Sequence, residues 1–386
     1  MKNKKVASMN KMMVCVIAVL ALAGCVCTDK CAKDGPVSVL ELVKCPGSGK
    51  ARNGEGDMIR LKDGRVMLAY TEFLGNGAHD HHPAHIVACY SSDGGNTWTE
   101  PVEIIERHGK MNVMSVSLMR ISPKRIAIFY ARKNSDYDCR PMVRFSDDEG
   151  KTWSTPRCTI PDSRNDYYVL NNCRAQRLKS GRIVLPVCRH SFKEDGKDAL
   201  AAGRLSCVFS DDAGESWQMG KEYIVYDNNG KRVVVQEPGV IELKDGRLYM
   251  YARTDRGRQW QAFSTDGGVT WKDFGPSPLY GPLGPATIIR LRNGDLMVAW
   301  NDHEGHPEYN LRPGWGRVPL TLAISRDEGK TWVKRRVIEG DLQSFYCYFS
   351  ILELDGYVLL HYYCKPWLGD GRVTKVSLDW LYSSED

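Results

Sequence analysis

The sequence predicts an all-β protein. Three observations carry this. An octapeptide of the form S-x-D-x-G-x-(S/T)-W recurs five times, a tight turn followed by an apolar strand recurs six times, and helical periodicity is weak throughout. The chain has 386 residues, enough for two or three domains or one large all-β domain. With 42% hydrophobic and 26% charged residues it reads as a globular chain with a sizeable core, not a disordered one.

Residues 1–24 divide into a lysine-bearing start, an apolar run from Met12 to Ala23, and Leu22-Ala23-Gly24 before Cys25. The apolar run is too short for a permanent membrane span, which needs about 20 residues, and the pattern is that of an export signal. Small residues before a cysteine resemble the lipobox of bacterial lipoproteins. The resemblance implies that Cys25 becomes the lipidated N-terminus, that residues 25–36 are a tether, and that the protein is held on the cell envelope by that lipid anchor alone. The formal charge of +6 comes largely from Lys2, Lys4, Lys5 and Lys11; the 53 basic residues less these four leave 49 against 47 acidic ones. So small a balance removes the electrostatic support for a nucleic-acid partner. Thirteen cysteines less Cys15 in the leader and Cys25 leave eleven, an odd number. They are scattered in strand-like runs and read as small core residues.

The octapeptides span Ser91–Trp98, Ser146–Trp153, Ser210–Trp217, Ser264–Trp271 and Ser325–Trp332. Each reads as a hairpin turn. Asp and Ser side chains bond backbone N–H groups, Gly takes a positive φ, and Trp buries its ring between sheets. A calcium loop would need more oxygen ligands and a distal Glu. The turn-plus-strand element carries Val66–Tyr70, Ile126–Tyr130, Ile183–Val187, Leu248–Ala252, Leu296–Trp300 and Val358–Tyr362. Copies roughly 50 to 65 residues apart each accommodate one four-stranded antiparallel blade. Six copies predict a six-bladed β-propeller over residues 37–386, one domain without a linker. The last strand is expected from Arg372 to Tyr382, with Pro36 to Val43 completing its blade and fastening the ring.

The octapeptide resembles the Asp-box of sialidases (neuraminidases), whose fold is a six-bladed propeller; the resemblance covers nearly the whole mature chain. It implies three arginines gripping a substrate carboxylate, a Tyr–Glu nucleophile pair and an Asp acid/base. A guanidinium fork matches a carboxylate, and a tyrosine nucleophile is the known exception among glycosidases that sialidases represent. Gln236–Val240, followed by Tyr251-Ala252-Arg253, resembles the segment holding the Glu and the second arginine, which implies Glu237 and Arg253. Gly316–Leu320, leading into the fifth octapeptide, implies Arg317 as the third. Tyr346–Ser350 resembles the nucleophile strand, with Tyr348 as nucleophile and Tyr346 as second choice. The loop His79-Asp80-His81-His82 implies Asp80 as acid/base.

The chain departs from the pattern at its start. The first arginine is expected about ten residues before Gly64, where Gly54 or Glu55 stands instead. Arg52, or Arg174 from another blade, is a candidate substitute, while Glu55 and Asp57 bring negative charge to the pocket. Asn112, Met114 and Ser115 lie near the next mouth position and read equally as substrate contacts or plain strand. Adjacent histidines (His79, His81, His82, with His85) rarely converge on one ion, so no metal and no cofactor is expected.

The reading that follows is an exported, monomeric exo-acting glycoside hydrolase releasing a terminal sialic acid or related acidic sugar from glycans. Tyr348 and Glu237 form the nucleophile pair, Asp80 is the acid/base, and Arg253, Arg317, Arg174, Glu55 and Asp57 meet the substrate. The alternatives are a propeller glycosidase or lyase acting on a uronic or other keto-acid sugar, and a non-catalytic glycan-binding lipoprotein.

Overall fold

The computed structural model describes residues 36–43, 49–75, 77, 79–161, 166–190, 202–311, 316–364 and 369–383. The leader and Cys25 lie outside the described residues. The regular secondary structure of the described chain is almost all strand. After β1 (Val37–Val43), β2 (Lys50–Arg60), β3 (Val66–Leu74), β4 (Ala84–Ser91) and β5 (Val102–Ile105) pair in that order as an antiparallel sheet. The next four are β6 (Asn112–Ser122), β7 (Arg125–Ser135), β8 (Asp138–Ser146) and β9 (Arg157–Cys158). β10 (Tyr167–Val169) joins them to β11 (Gln176–Arg177), β12 (Ile183–His190), β13 (Arg204–Ser210) and β14 (Gln218–Met219), so these nine strands make one sheet.

Two more four-stranded antiparallel sheets follow. One holds β15 (Val235–Glu242), β16 (Leu248–Thr254), β17 (Arg258–Ser264) and β18 (Lys272–Tyr280). The other holds β19 (Thr287–Arg290), β20 (Leu296–Trp300), β21 (Leu320–Ser325) and β22 (Val333–Glu339). β23 (Tyr346–Glu353), β24 (Tyr357–Cys364) and β25 (Asp370–Ser377) form the last, and β1 completes it by pairing antiparallel with β25. The N-terminal strand thus fastens the end of the chain, as expected.

The final strand is shorter than the sequence reading. It stops at Ser377, and Leu378–Tyr382 form a short helix, α1. The Ser377 side chain caps it by accepting from the Trp380 N–H, and Leu381 is buried beneath it.

The apolar runs after the turns are second strands buried on both faces, such as Val66 to Tyr70, which is why they read as continuous rather than alternating. All five octapeptides make the same turn. In the first, Ser91 Oγ donates to Asp93 Oδ1 (2.8 Å) and accepts from Gly95 N (2.7 Å), and Thr97 donates its N–H (2.9 Å) and hydroxyl (2.6 Å) to Asp93. Gly95 has φ +94°, which only glycine adopts at low cost. The tryptophans pack into the hydrophobic clusters between sheets, Trp271 and Trp332 most deeply. No disulfide occurs among the described cysteines, most of which are buried.

The innermost strands meet one another around the centre: β2 packs on β6, β6 on β11, β12 on β15, β15 on β19, β19 on β23, and β23 on β2. Side chains pin these crossings. Asn172 Nδ2 donates to the carbonyls of Gly56 (3.0 Å) and Tyr348 (3.2 Å), and Thr287 Oγ1 to that of Phe349 (2.7 Å). This brings residues far apart in sequence to one cleft.

Candidate active site

Four of the inner strands are interrupted in the same way. The pairing register shifts between Gly54 and Asp57 in β2, Met114 and Ser117 in β6, Gln236 and Gly239 in β15, and Cys347 and Ser350 in β23. Within each bulge one non-glycine residue takes a left-handed backbone: Glu55 (φ +53°), Ser115 (+63°), Glu237 (+48°) and Tyr348 (+58°). Each such residue carries strain of about 1–3 kcal/mol. The bulge turns the side chain out of the strand's alternation, and all four line one cavity of about 540 Å³.

On one wall the Tyr348 hydroxyl donates to Glu237 Oε1 at 3.1 Å. Arg253, from β16, sets its Nε 3.3 Å from Glu237 Oε2 and bonds Gln236. Asn171 Nδ2 also reaches Glu237 Oε2 (3.4 Å). Burial and the neighbouring Glu237 carboxylate push the Tyr348 phenol well above its usual value. It therefore rests neutral, with its proton held against Glu237. Arg317 lies beside it, with its guanidinium 5.6 Å from the Tyr348 ring centre and Nη1 3.0 Å from Cys347 Sγ. Tyr346 is turned away into the core.

On the adjoining wall Arg52, which like Tyr348 lies against the Tyr363 ring, is shared by two carboxylates, with Nη1 2.7 Å from Asp80 Oδ1 and Nη2 3.0 Å from Glu55 Oε1. Ser115 donates its hydroxyl to Glu55 Oε2. The Asp80 loop is held by Asn112, whose Nδ2 donates to the Asp80 and His82 carbonyls (2.9 Å each), and by Lys133 on the Asp80 carbonyl (3.2 Å). Burial alone would raise the Asp80 carboxyl, but Arg52 and Lys133 outweigh it and hold it down at about 2. Glu55 goes the other way. Burial raises it to about 7 against the pull of Arg52.

Of the residues picked from sequence, Tyr348, Glu237, Asp80, Arg253 and Glu55 line the cleft, and Arg317 flanks it. Two do not reach it and are corrected to structural pins. Arg174 is 1% exposed and donates to the Ala286 carbonyl (2.8 Å) and Thr287 Oγ1 (3.3 Å), tying the segment before β11 to β19. Asp57 accepts from the Met58 and Leu118 N–H groups (2.8 and 2.9 Å), tying β2 to β6; burial raises its carboxyl to about 6. Asn112 positions a loop, whereas Met114 and Ser115 line the cleft. Sequence reasoning missed Lys133, Tyr167 and Gln236. Among the described residues no group of His, Cys, Asp or Glu is placed to hold a metal ion.

Residues 77–360 match the BNR repeat-like domain family. The chain belongs to this family. It is 28% identical over 242 residues to a sialidase from Paraclostridium sordellii, covering 56% of each chain. It is 29% identical over 261 residues to the anhydrosialidase of Macrobdella decora, covering 64% of this chain and 30% of that one. The chain thus spans between about a third and three fifths of the curated relatives it matches first. Among solved structures, a protein of unknown function from Dyadobacter fermentans aligns with TM-score 0.68 at 19% identity, over 88% of this chain and 99% of that one. The Trypanosoma rangeli sialidase in its covalent-intermediate complex aligns with TM-score 0.68 at 15% identity, over 89% and 59%. The fold of this family member is therefore shared with sialidases.

Proposed function

We propose that this BNR-family chain is an exo-acting glycoside hydrolase of the sialidase class, and that its five sheets, the nine-stranded one counted as two blades, close into one six-bladed propeller. The observation that carries the reading is the Tyr348–Glu237 hydrogen bond, 3.1 Å long, in a cleft that Asp80 and Arg253 also line. In this reaction Tyr348 Oη attacks the anomeric carbon while Glu237 takes its proton. Arg253 braces Glu237, and the Arg317 guanidinium beside the ring offsets charge developing on the phenol. Asp80, more than half exposed at its side chain, stands where a departing oxygen meets solvent. Arg52 and Lys133 hold it ionised, so it must first take up a proton from solvent before it delivers one to that oxygen, and the carboxylate so regenerated then activates the water that releases the sugar. Protonation of Asp80 leaves Arg52 with Glu55, so the shared guanidinium is not orphaned by the step. Attachment through Cys25 to the bacterial envelope, and action as a monomer, belong to the same proposal. Of the three arginines that would make the sugar an acidic one, Arg253 is the one lining the cleft.

The test is hydrolysis of a panel of aryl glycosides: an α-sialoside, a glucuronide and neutral hexosides. Release of the aryl alcohol from at least one is expected, with turnover reduced at least about 10³-fold in both Tyr348→Phe and Glu237→Gln while circular dichroism stays unchanged. Undiminished activity in both variants, or saturable binding without hydrolysis of any glycoside, would defeat the proposal.

A further inference from the structure

The two walls of the cleft both present a hydroxyl against a carboxylate: Tyr348 on Glu237, and Ser115 on Glu55. The second pair has no role in the reaction described above. Both its members are nearly buried, at 5% and 2% exposure, and both are held in the left-handed backbone that turns them into the cleft.

The charge around this pair decides what it can receive. Among the described residues the cleft is lined by four carboxylates, Glu55, Asp80, Asp136 and Glu237, and by two cations, Lys133 and Arg253, while Arg317 flanks it at Tyr348. Arg52 adds no free cation. Its two ends lie on Asp80 and Glu55, and its plane stacks on Phe73 with the guanidinium 4.0 Å from the ring centre. An arginine cannot simply stand at position 54 instead, because a side chain there would run into the Tyr363 ring. A sugar carboxylate laid against this wall would meet like charge, which disfavours it. A sugar hydroxyl meets matched partners, since it can donate to the Glu55 carboxylate or to the Ser115 oxygen, whose own proton is already given to Glu55. Burial raises Glu55 to about 7, so near neutrality part of the population carries a proton and can donate as well.

We propose that Glu55 and Ser115 form a subsite for a hydroxyl-bearing carbon of the terminal sugar, so that the substrate is a neutral sugar rather than one carrying a carboxylate at this wall. This rests on the glycosidase chemistry proposed above and goes beyond it, replacing the acidic sugar of sialidases by a neutral one. The Tyr–Glu pair does not require an acidic sugar, because a phenol activated by a carboxylate can attack any anomeric carbon with a suitable leaving group.

The experiment is calorimetric binding to the Tyr348→Phe protein, which preserves the cleft without turnover. The ligands are p-nitrophenyl glycosides of sialic acid, glucuronic acid, and a set of neutral hexoses and 6-deoxyhexoses. At least one neutral glycoside is expected to bind about 10-fold or more tighter than either acidic one. Adding Glu55→Gln, which keeps volume and the Ser115 contact, is expected to weaken the neutral ligand about 10–100-fold, the worth of a hydrogen bond to a charged group. Tighter binding of an acidic glycoside, no binding of any neutral one, or indifference to Glu55→Gln would overturn the inference. Because binding is read without catalysis, a protein that prefers neutral sugars yet hydrolyses none in its wild-type form sinks the hydrolase reading and leaves this preference standing.

Discussion

The two walls of the cleft use one backbone device for different chemistry. In β15 and β23 the bulge presents Glu237 and Tyr348; in β2 and β6 it presents Glu55 and Ser115. The first wall is a phenol hydrogen-bonded to a carboxylate, steadied by Arg253. The second is a carboxyl with a hydroxyl, steadied by an arginine that also holds Asp80. The scaffold fixes where a side chain emerges, while the residue type there sets which chemical group each wall presents to the cleft.

The sharpest way to break this division of labour is Asp80→Asn. If Asp80 alone moves protons for the leaving group, turnover on the best glycoside falls about 10²–10⁴-fold, with binding to the Tyr348→Phe background little changed. A loss confined to affinity would move Asp80 from catalysis to the reading function of its wall.

A second difference is how each wall depends on its arginine. Arg52→Met leaves a buried Glu55 without its cation and is expected to cost about 3–5 kcal/mol in chemical denaturation, the usual penalty for orphaning one partner of a buried pair. Arg253→Met is expected to cost less, because Glu237 keeps Tyr348 and Asn171 as donors. Equal losses, or a larger one at Arg253, would show that the walls are not braced differently.

How far the sequence foretold these walls follows from which interactions are local. The octapeptide turns were legible because each is closed within eight residues by its own Ser, Asp and Thr or Ser. Tyr348 and Glu237 were legible because each sits in a short motif at a fixed distance from a hairpin. Arg174 and Asp57 misled for the opposite reason. A polar residue in an inner strand reads as pocket lining until the crossing strands are known, and here each is consumed by backbone groups of another unit. Lys133 gave no signal, since a lysine late in a strand reads as solvated, yet it is 1% exposed. The cap of α1 could have been read from Ser377 standing before Leu378-Asp379. The bulge residues also left a usable mark, because Glu55 and Glu237 each stand nine residues before the hairpin glycine, and Tyr348 eight.

The finest test separates the walls by pH. Glu55 titrates at about 7 in the folded chain against an ordinary 4.5, and Asp57, on the same strand, at about 6 against 3.8. A raised carboxyl means that the folded state holds a proton the unfolded chain has released. Its contribution to stability is full below the ordinary value and is lost as pH rises through the folded one. Asp80, lowered to about 2, behaves oppositely, and its contribution is lost only on acidification below about 4. Between pH 5 and 8 the β2 wall is therefore expected to weaken as pH rises. Glu55→Gln removes the larger of the two titrations and should flatten the decline in Tm over that interval, while Glu237→Gln on the adjoining wall should leave it in place. Parallel curves for wild type and Glu55→Gln would mean that Glu55 is ionised throughout. The hydroxyl-reading wall would then carry a full negative charge at every pH in that range, which strengthens its exclusion of acidic sugars but removes its capacity to donate.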